Sequence, residues 1–229
     1  MSDSTVVGKQ GLRELGRAYL RQRYTILFYT LLLTLVAAPI CAALEFSGDL
    51  IEWLLAANLL AAVLPVNAGK GRNVLLALMI LVWLARTITA WLEHPALSAM
   101  TLGIWTVIGL LASAGAIRFA MRAASVDAEH LYASLSAYLL AGIFFGLFYW
   151  VLEQSWPGTF AFPGKFSRMS AFYFSFVTLA TLGYGDIVPR TDVARGLAIV
   201  EGVGGQLFLA VMVARLVSLY GREKPESRP

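Results

Sequence analysis

The chain has 229 residues, 59% of them apolar and 14% charged, too little charge for an ordinary soluble domain of that length. Its net charge of +4 would suit nucleic acid, but the basic residues flank apolar runs instead of forming a patch. That distribution argues against a nucleic-acid partner and for a lipid bilayer. The single cysteine, Cys41, lies inside an apolar run, so neither a disulfide framework nor a cysteine metal site is expected.

Residues 1–23 read as a polar cytoplasmic N-terminus. The run after them is too long for a secretory h-region and lacks a cleavage site, so no leader is expected. Within "QGLRELGRAYLRQR", residues 10–23, helical spacing puts Leu12, Leu15 and Tyr19 on one face and Arg13, Arg17 and Arg21 on another. That suits a helix lying on the membrane surface, and equally a solvated basic helix leading into the first span.

Six spanning helices are predicted, each of about 20 residues to cross roughly 30 Å of hydrocarbon. Residues 24–44, 96–117 and 131–152 contain no formal charge; residues 74–92 hold Arg86, and residues 196–220 hold Glu201 and Arg215. Residues 50–68 are the weakest candidate, with Glu52 near the edge and Asn58 and Pro65 inside. Residues 24–122 thus form a four-span unit. A charged break at Asp127, Glu129 and His130 separates it from a two-span unit over 131–220, and residues 221–229 form a short cytoplasmic tail.

Lys9, Arg13, Arg17, Arg21 and Arg23 precede the first span, Lys70 and Arg72 follow the second, and Arg118 and Arg122 close the fourth. Arg222, Lys224 and Arg228 follow the sixth, whereas the alternate loops carry Glu45, Asp49, Glu52, Glu93 and His94. The positive-inside rule therefore puts both termini in the cytoplasm of a multi-pass protein of the plasma (cell inner) membrane. The loop before the last span, with Lys165, Arg168, Arg190 and Arg195, is the exception.

That loop is where the chemistry lies. "EQSWPGTFAFPGKF" carries turn residues at Pro157, Gly158, Pro163 and Gly164. "SRMSAFYFSFVTLA" follows, apolar, N-capped by Ser167 and too short to span, which reads as a re-entrant half-helix. "TLGYGD" follows it. Non-helical backbone at membrane depth is tolerated only where protein buries it or water lines it. Carbonyls that share one side of an extended strand require alternating left-handed dihedrals, which Gly183 and Gly185 supply without a Cβ clash. The carbonyls of Thr181, Leu182, Gly183 and Tyr184, with the Thr181 hydroxyl, would then form a column of oxygens. Four such strands around an axis would replace the hydration shell of a large monovalent cation. The half-helix C-terminus carries roughly half a negative charge and favours a cation there.

With this motif between two spans, the sequence resembles the potassium-channel family over residues 131–220. The four earlier spans match only the topology of its six-span members. The resemblance implies an all-α membrane protein with six transmembrane helices, a re-entrant pore half-helix and an extended selectivity filter at Thr181–Gly185. It implies K+ as the permeant ion, no cofactor, and a homotetramer around a conducting axis. It places Thr178, Tyr173 and Phe174 behind the filter, Pro189 at the exit toward the last span, and Gly205 at an inner-helix hinge; close helix packing explains Gly205 equally well. Gln206, Leu209 and Val213, with Ala180 at its mouth, would line the cavity below.

Three departures stand out. Ala180 replaces the usual threonine before the filter. Val177 occupies the position where some relatives carry a carboxylate, leaving Asp186 without that partner. Phe174 stands where relatives often have tryptophan, so Tyr173 is the better brace for Tyr184. Glu201 is a charge inside a span and so a functional candidate, or a structural one, protonated or hydrogen-bonded against the pore half-helix. The fourth span has no arginine ladder, so opening should depend weakly or not at all on voltage, with Arg86 paired or snorkelling, or a weak sensor. Rival readings are a K+ transporter subunit or non-conducting channel-like scaffold. A remoter one is an intramembrane aspartyl protease, whose GxGD signature Gly183–Asp186 also matches but whose second aspartate is missing.

Overall fold

The computed structural model describes residues 22–44, 49–63, 70–91, 95–121 and 128–220. The expected surface helix over 10–23 lies outside them but for its last two residues, as does the tail 221–229. Among the described residues the regular elements are helices apart from one short ladder. Its elements are α1 (Arg23–Ala43), α2 (Asp49–Val63), α3 (Lys70–Trp91), α4 (Pro95–Met121), α5 (Ala128–Ser155), β1 (Phe160–Ala161), α6 (Arg168–Leu179), β2 (Val188–Pro189) and α7 (Asp192–Tyr220).

Four of these helices, α1, α4, α5 and α7, are long and apolar enough to cross a membrane. The molecule is therefore a multi-pass all-α membrane protein. The second and third expected spans, which α2 and α3 occupy in part, are not among these four. α2 has 15 residues, Asp49–Val63, and residues 64–69 after it lie outside the described ones; α3 has 22 residues and carries an apolar run at Leu76–Thr89. Arg86 falls within α3, but its side chain is outside the described part.

The architecture is organised on α5, against which α1, α4 and α6 make their main contacts. One apolar core runs from Leu27 and Leu31 of α1 through Trp105 and Ile108 of α4 to Leu140, Phe144 and Leu147 of α5. Among apolar lipid tails there is no water to exclude, so close packing and hydrogen bonds hold such helices together. The fit of α6 on α5 illustrates this. A Cβ at Gly142 would stand 2.6 Å from the Phe176 ring, and one at Gly146 would stand 3.0 Å from the Phe172 Cα. Only glycine permits that approach.

Polar contacts close both ends of the assembly. The Glu129 carboxylate caps the start of α1, accepting from the Tyr24 amide at 3.0 Å and the Thr25 hydroxyl at 2.9 Å. It satisfies donors that a helix start leaves open and sits at the positive end of the helix dipole. At the other end, the Glu153 carboxylate accepts from the Gly158 and Phe160 amides, both at 2.9 Å. Phe160 then stacks on Phe166 and meets Tyr149 and Phe174 edge-on. β1 pairs antiparallel with β2, Phe160 opposite Pro189 and Ala161 opposite Val188. This ladder ties the loop before α6 to the strand leading into α7.

Candidate functional site

α6 begins with a reciprocal cap. The Ser167 hydroxyl accepts from the Ser170 amide at 3.0 Å, and the Ser170 hydroxyl accepts from the Ser167 amide at 3.3 Å. Its end is equally defined. The Thr181 amide donates to the Thr178 carbonyl at 3.0 Å and the Leu182 amide to the Val177 carbonyl at 2.9 Å. That pair of bonds is the Schellman stop, which puts the first residue beyond the helix in the left-handed region. Here the residue is Thr181, with φ 56°.

The handedness then alternates. Gly183 has φ 57° and Gly185 has φ 79°, so every second residue from 181 to 185 is left-handed. This is the pattern demanded by a strand whose carbonyls share one side. The glycines reach it freely; Thr181 does so at a cost of roughly 1–2 kcal/mol, imposed by the helix stop. The C-terminal end of α6, where its dipole is negative, thus adjoins the start of the strand. Residues 181–186 are all exposed on the single chain, Leu182 at 58% and Tyr184 at 66%.

Behind the strand, Tyr173 and Tyr184 stack with ring centroids 6.2 Å apart and planes 6° from parallel. Partial desolvation first, then a hydrogen bond to Asp186 and that carboxylate's charge, raises the Tyr173 phenol above its ordinary pKa. Thr178 is half-buried and Val177 buried. The Phe174 ring lies 5.0 Å from Tyr149 and 5.2 Å from Phe160, in the cluster that supports the loop. Beyond the strand, Pro189 sits in β2, and the Arg190 amide donates to the Thr159 carbonyl at 2.8 Å.

Glu201, on α7, is 1% exposed. Its Oε2 accepts from the Tyr149 hydroxyl at 2.6 Å, and its Oε1 meets the Ser175 hydroxyl. Tyr149 and Ser175 are both fully buried, so three polar groups from α5, α6 and α7 converge behind the half-helix. A fourth tie is close by, where the Tyr138 hydroxyl donates to the Leu179 carbonyl at 3.2 Å. Gly205 packs on the same Leu179, so that a Cβ there would stand 2.6 Å from Leu179 Cδ1. Tyr138, Leu179, Glu201 and Gly205 border a cavity of about 320 Å³ between α4, α5, α6 and α7.

Ala180, Gln206, Leu209 and Val213 all lie on exposed surface of the single chain. Sequence reasoning names Glu201 but misses Ser175 and Tyr149 as its partners. It also misses the left-handed Thr181, because threonine carries no such signal.

Residues 135–222 match the family model described as "Ion channel". The curated relatives include two-pore potassium channel 4 of Arabidopsis thaliana, 50% identical over 50 residues, which cover 22% of this chain and 18% of that one. The inward rectifier potassium channel Kirbac3.1 of Paramagnetospirillum magnetotacticum is 34% identical over 89 residues, 37% of this chain and 28% of its own. The voltage-gated potassium channel Kch of Escherichia coli is 42% identical over 55 residues, 24% of this chain and 12% of its own. The chain thus spans less than a third of the length of each of these relatives. No solved structure matches it significantly.

Proposed function

We propose that this chain, whose 135–222 segment belongs to the ion-channel family and is similar to potassium channels, conducts K+ passively. Four copies would surround one axis, each contributing the carbonyls of Thr181, Leu182, Gly183 and Tyr184, with Gly185 closing the filter. The observation that carries this reading is the alternation of left-handed backbone at Thr181, Gly183 and Gly185, directly after a half-helix stop. One such strand cannot enclose an ion, and on a single chain it is exposed together with most of α7. A ring of copies accounts for both facts.

In this reading α6 is a re-entrant pore helix, and α2 and α3 complete six spans. Both termini are cytoplasmic in the plasma (inner) membrane, and the four-helix unit is a collar with little voltage sensitivity. Ala180, Gln206, Leu209 and Val213 line the cavity below the filter. Asp186, Tyr173, Thr178 and Val177 support the filter from behind.

Purified protein in liposomes, under opposing K+ and Na+ gradients, tests the proposal. Flux of K+ and Rb+ far above Na+ is expected. Equal permeation of K+ and Na+ overturns the filter assignment, and absence of any flux supports a non-conducting scaffold. Native mass measurement should give four chains; a conducting monomer or dimer would refute the ring.

A further inference from the structure

Ser175 carries one hydroxyl hydrogen and has two partners. Its Oγ lies 2.7 Å from the Gly142 carbonyl oxygen and within hydrogen-bond reach of Glu201 Oε1. A backbone carbonyl can only accept, so the serine hydrogen goes to Gly142. The contact with Glu201 then needs a second hydrogen, and the carboxyl group must provide it. That hydrogen lies on Oε1, the oxygen that meets Ser175, and Oε2 is left to accept from the Tyr149 hydroxyl at 2.6 Å. We infer that Glu201 is a neutral carboxylic acid, protonated on Oε1, that joins Tyr149, Ser175 and Gly142 in one hydrogen-bonded relay and so positions the half-helix bearing the strand.

The surroundings agree. Glu201 is 1% exposed, and Tyr149 and Ser175 are 0% exposed. A carboxylate buried this way without a cation is strongly disfavoured. The groups facing Glu201 from neighbouring elements are the phenols of Tyr149 and Tyr138 on α5 and the Ser175 hydroxyl on α6. α4 adds Ser113 at the adjoining cavity, and among the described residues no Lys, Arg or His lines that cavity. The relay runs in one direction. Tyr149 donates to Glu201, Glu201 to Ser175, and Ser175 to Gly142, which fastens α6 to both α5 and α7. Two turns below Ser175 on α6 the strand begins.

The place of the proton follows from counting hydrogens alone; its consequence for conduction rests on the channel reading above. Infrared spectroscopy of the full-length protein in bilayers at neutral pH tests the first. Wild type should show a protonated-carboxyl carbonyl band that Glu201→Gln removes and Ser175→Ala shifts, since the acid then loses its acceptor. K+ flux tests the second. Gln has the same shape as the acid and presents both a donor and an acceptor, so Glu201→Gln should keep the flux. It should also free the flux from any loss at alkaline pH, where wild type ionises, whereas Glu201→Ala should lose it. If no such band exists in wild type, the proton assignment is wrong, whatever the flux does. If the band is present but Gln fails as Ala does, the positioning role is wrong. If nothing conducts, the channel reading fails and the infrared result still decides the proton.

Discussion

Gly205→Ala separates two accounts of the last helix, a packing contact and a hinge. The added Cβ would lie 2.6 Å from Leu179 Cδ1 and 3.2 Å from the Leu179 carbonyl oxygen. Carbon atoms settle at about 3.5–4.0 Å, so Leu179 or the whole α6 end must retreat by roughly 1 Å. Room is short. Leu179 is 3% exposed, and its carbonyl is held by Tyr138. Overpacking of this kind costs about 1–3 kcal/mol, while replacing glycine inside a helix returns about 1 kcal/mol. The net expectation is a destabilisation of about 0–2 kcal/mol per chain. Leu179→Ala alone should cost about 2–5 kcal/mol. In the double variant the new methyl fills part of the vacated space, so the two costs should fall short of additivity by at least about 1 kcal/mol. Unfolding in mixed detergent reads the stabilities, and liposome flux runs in parallel. Additive costs, with Gly205→Ala altering opening but not stability, would refute the packing account and leave the hinge.

Three further outcomes are expected. Gly183→Ala should abolish selective flux with the helices intact by circular dichroism. Nothing lies within 4 Å of its would-be Cβ, so the harm comes from a left-handed φ of 57° that costs alanine roughly 1–2 kcal/mol, and retained selectivity would count against the alternation argument. Glu153→Ala strips the Gly158 and Phe160 amides of their acceptor; the Phe160 amide is buried, so the β1–β2 loop should lose about 1–3 kcal/mol, seen as faster proteolysis between Ser155 and Ser167. Opening should respond only shallowly to voltage and be unchanged by Arg86→Gln, since one charge crossing the full field contributes only about 2.3 kcal/mol per 100 mV; steep current–voltage curves flattened by that substitution would make the four-helix unit a sensor.

The functional strand is legible in sequence because glycine at alternate positions has one dominant physical use beside an apolar half-helix. Ser167 is legible too, since a serine before an apolar run is the ordinary signal of a helix start. Thr181 is not, because the stop that follows α6 normally announces itself with glycine or asparagine. Tyr149 and Ser175 stand 52 and 26 residues from Glu201, and no local pattern links them. The only available hint is general: a carboxyl inside a span must find partners. The ring contacts of Phe174 with Tyr149 and Phe160 are likewise unannounced, because the three residues are distant in sequence. The β1–β2 ladder is hidden for a similar reason. Two paired residues leave no periodicity, and Pro157, Gly158, Pro163 and Gly164 read as turn.

The joining of the α6 stop to the left-handed Thr181 turns the strand into a matter of parity. Counted from Ala180, left-handed backbone falls at the first, third and fifth residues, and the glycines occupy the third and fifth. Inserting one residue after Thr181 would move Leu182 and Tyr184 onto those places and strand both glycines on the even ones. Deleting Leu182 would do the same to Tyr184. An insertion of two residues keeps the glycines on odd places, the fifth and seventh, and lengthens the column provided that the second inserted residue, now at the third place, is itself glycine. Length variation in this stretch is therefore quantised in twos, and an odd change should be as damaging as the loss of both glycines together.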